Sequence, residues 1–432
     1  MDSPARFIIF AVLTSLITVG VHIYLYRRLF ADTSEDRWWR RVGMGVMTVL
    51  GTLLVLSWSV TRFLPLDATF AVATAVWMWM GAAIYLLFAL WGIGGARALS
   101  RRWGRRAAVA RADDVGLVTS LAGAGASVAM TEVADGPGDV SLSGGSAREA
   151  PEVNVERRRF LARATAGGAL LASGSLTSYG MWSAFHPPVV NEVAVRLPGL
   201  PKAMDGFSIV HLSDIHVGPV IQRKFMDELV ARCNALRPDL VAITGDLVDG
   251  KVASLGPSVA ALRELRSGHG TYFVTGNHEY YWDHAAWAGA LEGMGVQVLR
   301  NRHVRIGDAG ASFDLVGVDD WSAGHTGAKQ GYDLTAAVAG REPERAAVLL
   351  AHQPSNWRVA ARAGMGLQLS GHTHGGQFFP FTLAVSAIWE HDAGHFEEGG
   401  KHLYVSRGTG FWGPPLRVGA PPEIVKVTLL AA

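Results

Sequence analysis

The hydrophobic pattern of the chain changes near its middle. Over the first hundred residues, apolar positions form long unbroken blocks at 7–26, 42–64 and 70–95. Each block approaches or exceeds the roughly 20 residues that carry a helix across a bilayer. Apart from Arg62 near one end, none contains Asp, Glu, Lys or Arg. These blocks predict three transmembrane helices within residues 1–111. His22, late in the first block, reads as an interfacial group. Trp77, Trp79, Tyr85 and Trp91 read as side chains facing lipid and its interfaces.

Beyond Pro187-Pro188 the pattern shortens. Apolar, β-rich runs recur at 207–212, 240–244, 271–275, 312–318, 347–351, 366–370, 402–406 and 423–429, with helical spacing at 224–236 and 254–265. This alternation predicts a soluble α/β domain over 187–432. The stretch between the two regimes is of another kind. Residues 112–156 are rich in Ala, Gly, Ser and Asp without a sustained period, which predicts a disordered linker. Glu156-Arg157-Arg158-Arg159-Phe160-Leu161-Ala162-Arg163 then precedes a mildly apolar run at 164–182. Arginines before a weakly apolar segment resemble a twin-arginine export signal, here internal; an ordinary fourth span is the alternative. With no A-x-A cleavage site, residues 157–186 are expected to stay as an anchor helix ended by the prolines.

Charge adds an orientation. Arg27, Arg28, Arg37, Arg40 and Arg41 follow the first block, and Arg97, Arg101, Arg102, Arg105, Arg106 and Arg111 follow the third. Only Arg62 and Asp67 lie between the second and third. By the positive-inside rule the two Arg-rich segments are cytoplasmic, as is the linker. The expected location is therefore the cytoplasmic (inner) membrane, multi-pass, with the 187–432 domain on the extracytoplasmic side. The net charge of +2 argues against a dedicated nucleic-acid partner. A single cysteine, Cys233, rules out an intrachain disulfide and reads as a buried helix residue.

The chemistry lies where the short apolar runs end. The first runs into Ser213-Asp214-Ile215-His216 and the second into Gly245-Asp246-Leu247-Val248-Asp249. Another runs into Gly276-Asn277-His278-Glu279, and a fourth into Gly371-His372-Thr373-His374. Ligands of open α/β sheets collect beyond the carboxyl ends of the strands, so these tips are expected to converge. Carboxylate oxygens and neutral imidazoles suit borderline divalent ions such as manganese, iron or zinc. In an extended strand Asp214 and His216 face the same way and can share an ion. His372 and His374 have the same spacing but need not share one if the chain bends. Gly245, Gly276 and Gly371 each precede a candidate ligand and allow close backbone approach.

In order, the blocks Asp-x-His, Gly-Asp-x-x-Asp, Gly-Asn-His-Glu, a lone His352 and Gly-His-x-His resemble the calcineurin-like metallophosphoesterase superfamily. Longer stretches resemble its membrane-associated bacterial subgroup and the transmembrane proteins with a metallophosphoesterase domain. These are residues 271–281, 371–377, and the tail from Ser406-Arg407-Gly408 through Gly413-Pro414-Pro415-Leu416-Arg417. The resemblance covers the chain from about Pro198 onward. It implies a four-layer α/β/β/α sandwich behind the transmembrane helices, and two divalent metal ions. It implies that Asp214, His216 and His374 bind one ion, Asn277, His352 and His372 the other, and that Asp246 bridges them. It also implies that His278 binds no metal and protonates the leaving group, making His278, Asn277 and Asp246 the catalytic residues. The expected reaction is phosphoester hydrolysis by a bridging hydroxide attacking in line. The expected substrate is a phosphodiester or a lipid-linked envelope phosphoester. A non-catalytic metal-binding sensor or interaction module is the alternative.

Other polar residues are expected to be structural. Asp249 hydrogen-bonds within its loop, Glu279 supports the ligands, and His211 is a satisfied sheet residue. Asp319-Asp320 forms a strand-end turn, and Arg407 forms a salt bridge at least as readily as it binds phosphate. His325, His391, His395 and His402 match no pattern. Tyr280, Tyr281, Trp282, Phe378, Phe379, Phe411 and Trp412 suit a pocket rim and a core equally well.

Overall fold

A computed structural model describes residues 4–60, 66–123, 155–326, 328 and 331–432. Four long helices lead: α1 (Pro4–Tyr26), α2 (Arg37–Val60), α3 (Leu66–Gly123) and α4 (Val155–Phe185). A π-helical turn, Arg27–Ala31, prolongs α1. Among the described residues, two helical stretches are long and apolar enough to cross a membrane, Arg37–Ser57 and Ala68–Gly104. The turn expected to hold Arg62 lies outside the described residues. So does the expected linker beyond Gly123, except for its last residues, which begin α4. Its first residues differ from expectation, because α3 continues through them as helix.

Helix α4 packs along α3 in the opposite direction. Arg97 donates to the Leu161 carbonyl at one end, and Ser173 donates to the Ala82 carbonyl further along. Arg163 donates to the Thr33 carbonyl, and Arg159 pairs with Glu35. His22 is buried here rather than interfacial: its Nε2 accepts from the Trp79 indole at 2.9 Å. The aromatic cluster of α3 is likewise divided. Trp91 is exposed, but Trp77 and Tyr85 are buried because the following domain packs against them.

That domain contains β1 (Val189–Leu197), β2 (Phe207–Leu212), α5 (Arg223–Ala235), β3 (Leu240–Thr244), α6 (Val252–Val259) and β4 (Thr271–Val274). It continues with α7 (Asn277–Trp282), α8 (His284–Glu292), β5 (Val296–Val298), β6 (Arg302–Asp308), β7 (Ala311–Gly317), α9 (Leu334–Val338) and β8 (Ala347–Leu350). It closes with α10 (Trp357–Arg362), β9 (Leu367–Ser370), α11 (Phe381–Ile388), β10 (Gly394–Glu398), β11 (Lys401–Val405) and β12 (Glu423–Ala431). Two six-stranded sheets result, ordered β1-β12-β2-β3-β4-β5 and β10-β11-β9-β8-β7-β6. The strands from β2 to β5 are parallel, as are β7, β8, β9 and β11.

Alternation along each strand builds three cores and hence four layers. Ile209, Ala242 and Val274 face Phe313, Val348 and Leu369 between the sheets. Their neighbours Val210, Ile243 and Phe273 face outward against Met226, Cys233 and Trp287 of the helices. Val316 and Leu349 of the second sheet meet Leu334 and Ala360 of α9 and α10. This is the expected α/β/β/α sandwich, with Cys233 buried in its helical layer. β1, β5, β6 and β10, which the apolar runs did not mark, all flank these cores. All four are edge strands; β5 has only three residues, and the polar outward positions of β1, β6 and β10 hide the period.

Candidate metal centre

Five parallel strands end at one place, and each delivers a donor. β2 leads to Asp214 and His216, β3 to Asp246, β4 to Asn277, β8 to His352, and β9 to His372 and His374. Donor atoms of Asp214, His216 and His374 lie within 4.8 Å of one another, as do those of Asp246, His352 and His372. A third such group joins His216, Asp246 and His278, so Asp246 links the two halves. The Asn277 side-chain oxygen lies 3.1 Å from His352 Nε2, completing the second half.

Asp214 and His216 come together by a different route from the one expected. β2 stops at Leu212, and Asp214 and His216 lie in the loop beyond with φ of +52° and +56°. Asp246, His372 and His374 also adopt positive φ. Left-handed backbone is costly for residues other than glycine and is held only where the surroundings enforce it. Here the fold enforces it with hydrogen bonds: Asp214 N–H donates to the Gly245 carbonyl, and His216 N–H to the Asp246 carbonyl. The same bends separate His372 from His374 and assign them to different halves. Two glycines make the close packing possible. A Cβ on Gly276 would overlap the Asp246 carboxylate, and one on Gly371 would overlap that of Asp214.

Buried carboxylates organise the loops. Glu279 accepts three backbone N–H groups, from Gly276, Asp246 and Leu247, at 2.7 to 3.0 Å. It fixes the β3 and β4 tips against each other. Both Asp214 oxygens accept the His372 N–H, at 3.1 and 3.0 Å. Asp246 Oδ1 accepts the His278 N–H at 2.9 Å. Burial alone would raise the Asp246 carboxyl, yet the imidazoles of His352 and His278 hold it well below the usual carboxylate range.

The donor set fits cations. His216 Nε2 and His374 Nε2 face each other at 3.1 Å, and His352 Nε2 and His372 Nδ1 at 3.2 Å. Imidazole lone pairs that converge in this way, with carboxylates beside them, are satisfied together by a shared cation. Burial lowers the basicity of His372 and, more strongly, of His374, which keeps them neutral as ligands must be. His352 donates Nδ1–H to the Thr244 carbonyl at 2.8 Å, so its Nε2 lone pair points into the cluster.

His278 stands at the edge. Its Nδ1 is 2.5 Å from Asp249 Oδ1, and the same oxygen lies 3.3 Å from His216 Nδ1. Burial opposes the imidazolium, but Asp246 and Asp249 outweigh it and push His278 up to about 9. Asp249 thus does more than hydrogen-bond within its own loop: it orients one candidate ligand and one candidate acid. The Gly-Asp-x-x-Asp spacing contained that signal.

Arg417, which the sequence pattern does not single out as a site residue, also reaches the cluster. It is fully buried and donates to the carbonyls of Gly410, Arg407, Ala420 and His374. Its guanidinium also lies 3.1 Å from His374 Nδ1. The remaining polar residues are structural. Asp319 takes Arg300 in a two-pronged pair, Asp320 accepts from Gln353, and Arg407 pairs with Glu423. His211 bonds Thr244 through Nε2, while its buried Nδ1 has no partner among the described residues. His395 stacks on His402, and His391 packs edge-on against Trp357; the His325 side chain lies outside the described residues. The aromatic residues divide into two sets. Tyr280, Phe378 and Phe411 are buried, whereas Tyr281, Phe379 and Trp412 are exposed. Tyr281 and Trp412 flank His278 at 5.1 and 5.7 Å.

Comparison with known proteins gives this geometry a family. A model of calcineurin-like phosphoesterases matches residues 207–376. A transmembrane protein with metallophosphoesterase domain from Bos taurus is 42% identical over 277 residues, which are 61% of this chain and 62% of that protein. The like-named protein of Danio rerio is 35% identical over 299 residues, 64% of this chain and 67% of its own length. A metallophosphoesterase of Aquifex aeolicus is 34% identical over 242 residues, 56% of this chain and 91% of its own. The chain thus spans less than two-thirds of the bovine protein's length. With a family match running from before the first donor to beyond the last, and a bacterial relative aligned over nearly its whole length, the assignment is direct: the chain belongs to the calcineurin-like phosphoesterase family.

Proposed function

We propose that this protein is a membrane-bound, metal-dependent phosphoester hydrolase acting on phosphodiesters or lipid-linked phosphoesters of the cell envelope. The observation that carries the reading is the convergence of seven oxygen and nitrogen donors at the carboxyl ends of five parallel strands. Burying so many carboxylates and imidazoles without a cation would be costly.

Asp214, His216 and His374 would hold one divalent ion, Asn277, His352 and His372 a second, with Asp246 shared; manganese, iron and zinc all suit the set. When bound, two such ions neutralise phosphoryl charge and make water nucleophilic at neutral pH. The chain's own groups do the rest. Asp249 holds Nδ1 of His278, leaving the Nε2 proton for the leaving-group oxygen. Asn277 donates one side-chain N–H to the Tyr281 hydroxyl at 3.4 Å, which leaves the other for a phosphoryl oxygen. Tyr281 and Trp412 wall the entrance beside His278.

Membrane attachment is supported by two apolar helices and by relatives named as transmembrane proteins. The arginine asymmetry favours a multi-pass inner-membrane protein with the metal centre on the extracytoplasmic side. The contacts of Arg163 and Arg159 with Thr33 and Glu35, between α1 and α2, favour α4 as a retained anchor, and the arginines before its weakly apolar run favour delivery by the twin-arginine route.

Purified full-length protein should hydrolyse bis-p-nitrophenyl phosphate or p-nitrophenyl phosphate with Mn²⁺, and Asp246→Asn should not. A folded, metal-loaded protein inert toward both compounds and toward membrane phosphoesters would point to a metal-binding sensor instead.

A further inference from the structure

The wall of the metal centre nearest the membrane helices has an unusual surface. Residues 375–389 contain no charged side chain. Within them α11 runs Phe381–Ile388 without one buried residue. Leu383 is 63% exposed and Ile388 77%, with Phe379 and Phe381 also exposed. A soluble domain does not leave such a face in water without a use for it.

The position of α11 indicates what covers it. Phe381 packs edge-on against Phe88 of α3 at 6.3 Å, and Phe378 packs against Tyr85 at 5.9 Å. Both partners lie within the span-length stretch Ala68–Gly104. At 1.5 Å per residue Phe88 is about 14 Å, and Tyr85 about 18 Å, along the helix from Arg97. Both depths fall inside a hydrocarbon layer of about 30 Å. The outward face of α11 is also continuous with exposed Phe88 and Trp91 on α3, which pack on each other at 6.0 Å.

The same segment touches the metal centre at both ends. His374 lies immediately before it, and Trp389, its last residue, sets its ring edge-on to His372 at 5.4 Å. Gln377 within it donates to the Trp412 carbonyl, and the Trp412 ring packs against His278. Trp389 and Trp412 therefore connect the exposed apolar face of α11 to the donor cluster.

The geometry points to α11 as a helix lying against the hydrocarbon of the bilayer, through which the site takes amphiphilic phosphoesters whose hydrocarbon stays in the bilayer while the phosphate reaches the metal centre. The substrate half of this inference rests on the hydrolase reading; the membrane half does not.

Two measurements on the full-length protein in phosphatidylcholine–phosphatidylglycerol nanodiscs test it. In a Cys233→Ala background, an environment-sensitive fluorophore is placed at Leu383→Cys, Ile388→Cys or, as a control on the exposed β10 strand, Glu397→Cys. Doxyl-labelled phosphatidylcholine should quench the first two and aqueous iodide only the third. Iodide quenching at 383 and 388 would overturn the inference, and so would quenching by neither agent, which would mean that protein covers the helix. The second measurement compares kcat/KM for hexadecyl and methyl p-nitrophenyl phosphate. The preference for the long chain should fall about ten-fold in Leu383→Glu/Ile388→Glu, since apolar transfer drives it. An unchanged preference would remove the substrate half. Absence of methyl p-nitrophenyl phosphate turnover by the wild type with Mn²⁺ would instead count against the hydrolase reading, and quenching would still decide where α11 lies.

Discussion

The two halves of the donor cluster use the same chemistry but are held by different parts of the protein. The half formed by Asp246, Asn277, His352 and His372 is fixed from within the sandwich. His352 is held by the Thr244 carbonyl, and the β3 and β4 tips are clamped by Glu279. The half formed by Asp214, His216 and His374 is tied outward. Arg417 contacts both the carbonyl and Nδ1 of His374, and the Arg417 N–H donates to the Gly180 carbonyl of α4. Leu416 and Val418 beside it pack on α3 and α4. The difference teaches that one half is held chiefly by the sheet ends, while the other is also hydrogen-bonded through Arg417 to a membrane helix.

Because Asp246 is common to both halves, Asp246→Asn should have the largest effect. Hydrolysis should fall roughly a thousand-fold or more, and elemental analysis should find both ions reduced. Equal metal content in the variant would break the shared-ligand assignment. His278→Ala belongs to neither half. It should retain its metals and lose about a hundred- to a thousand-fold in kcat.

Arg417→Met sharpens the comparison most directly. It should weaken one ion about ten- to a hundred-fold, so that metal titration turns from two similar sites to two distinct ones. It should also lower stability by about 3 kcal/mol, because several buried carbonyls lose their donor. Two ions weakened alike would mean that the halves are not anchored separately. Asp249→Asn should cost about ten-fold in turnover by loosening His278, with both ions still bound.

The smallest effect concerns stability rather than chemistry. Burial pushes His211 down to about 3 from its ordinary 6.5. Between those values the unfolded chain takes up a proton that the folded chain refuses. Stability should therefore fall as pH falls below 6.5, by about 1.4 kcal/mol per unit from this group. In metal-free protein, His211→Gln should flatten that slope in denaturant titrations; parallel slopes would show that His211 can be charged in place.

Much of the site was legible because each donor follows a short apolar run, and strand periodicity is a local property. Asp249 was less so, because its partners, His216 and His278, arrive from other strands. Arg417 was missed for the same reason: nothing in Pro414-Pro415-Leu416-Arg417 says that a carbonyl from α4 and an imidazole from the β9 tip will meet there. The aromatic residues after the ligand motifs could not be sorted by sequence at all. Phe378 and Phe411 are buried only because Tyr85 of α3 and Phe185 of α4 cover them.

The sequence by itself determined the donor chemistry, the strand ends that carry it, the α/β class and the apolar helices ahead of them. Those features depend on residue type and on periods of two or 3.6. Tertiary structure alone decided which imidazoles share a half, and that Asp214 and His216 meet through left-handed loops rather than along a strand. It also decided that the domain rests on α3 and α4 with α11 beside them. Such outcomes depend on contacts between residues far apart in the chain, and no local pattern specifies which faces meet once several apolar surfaces are available.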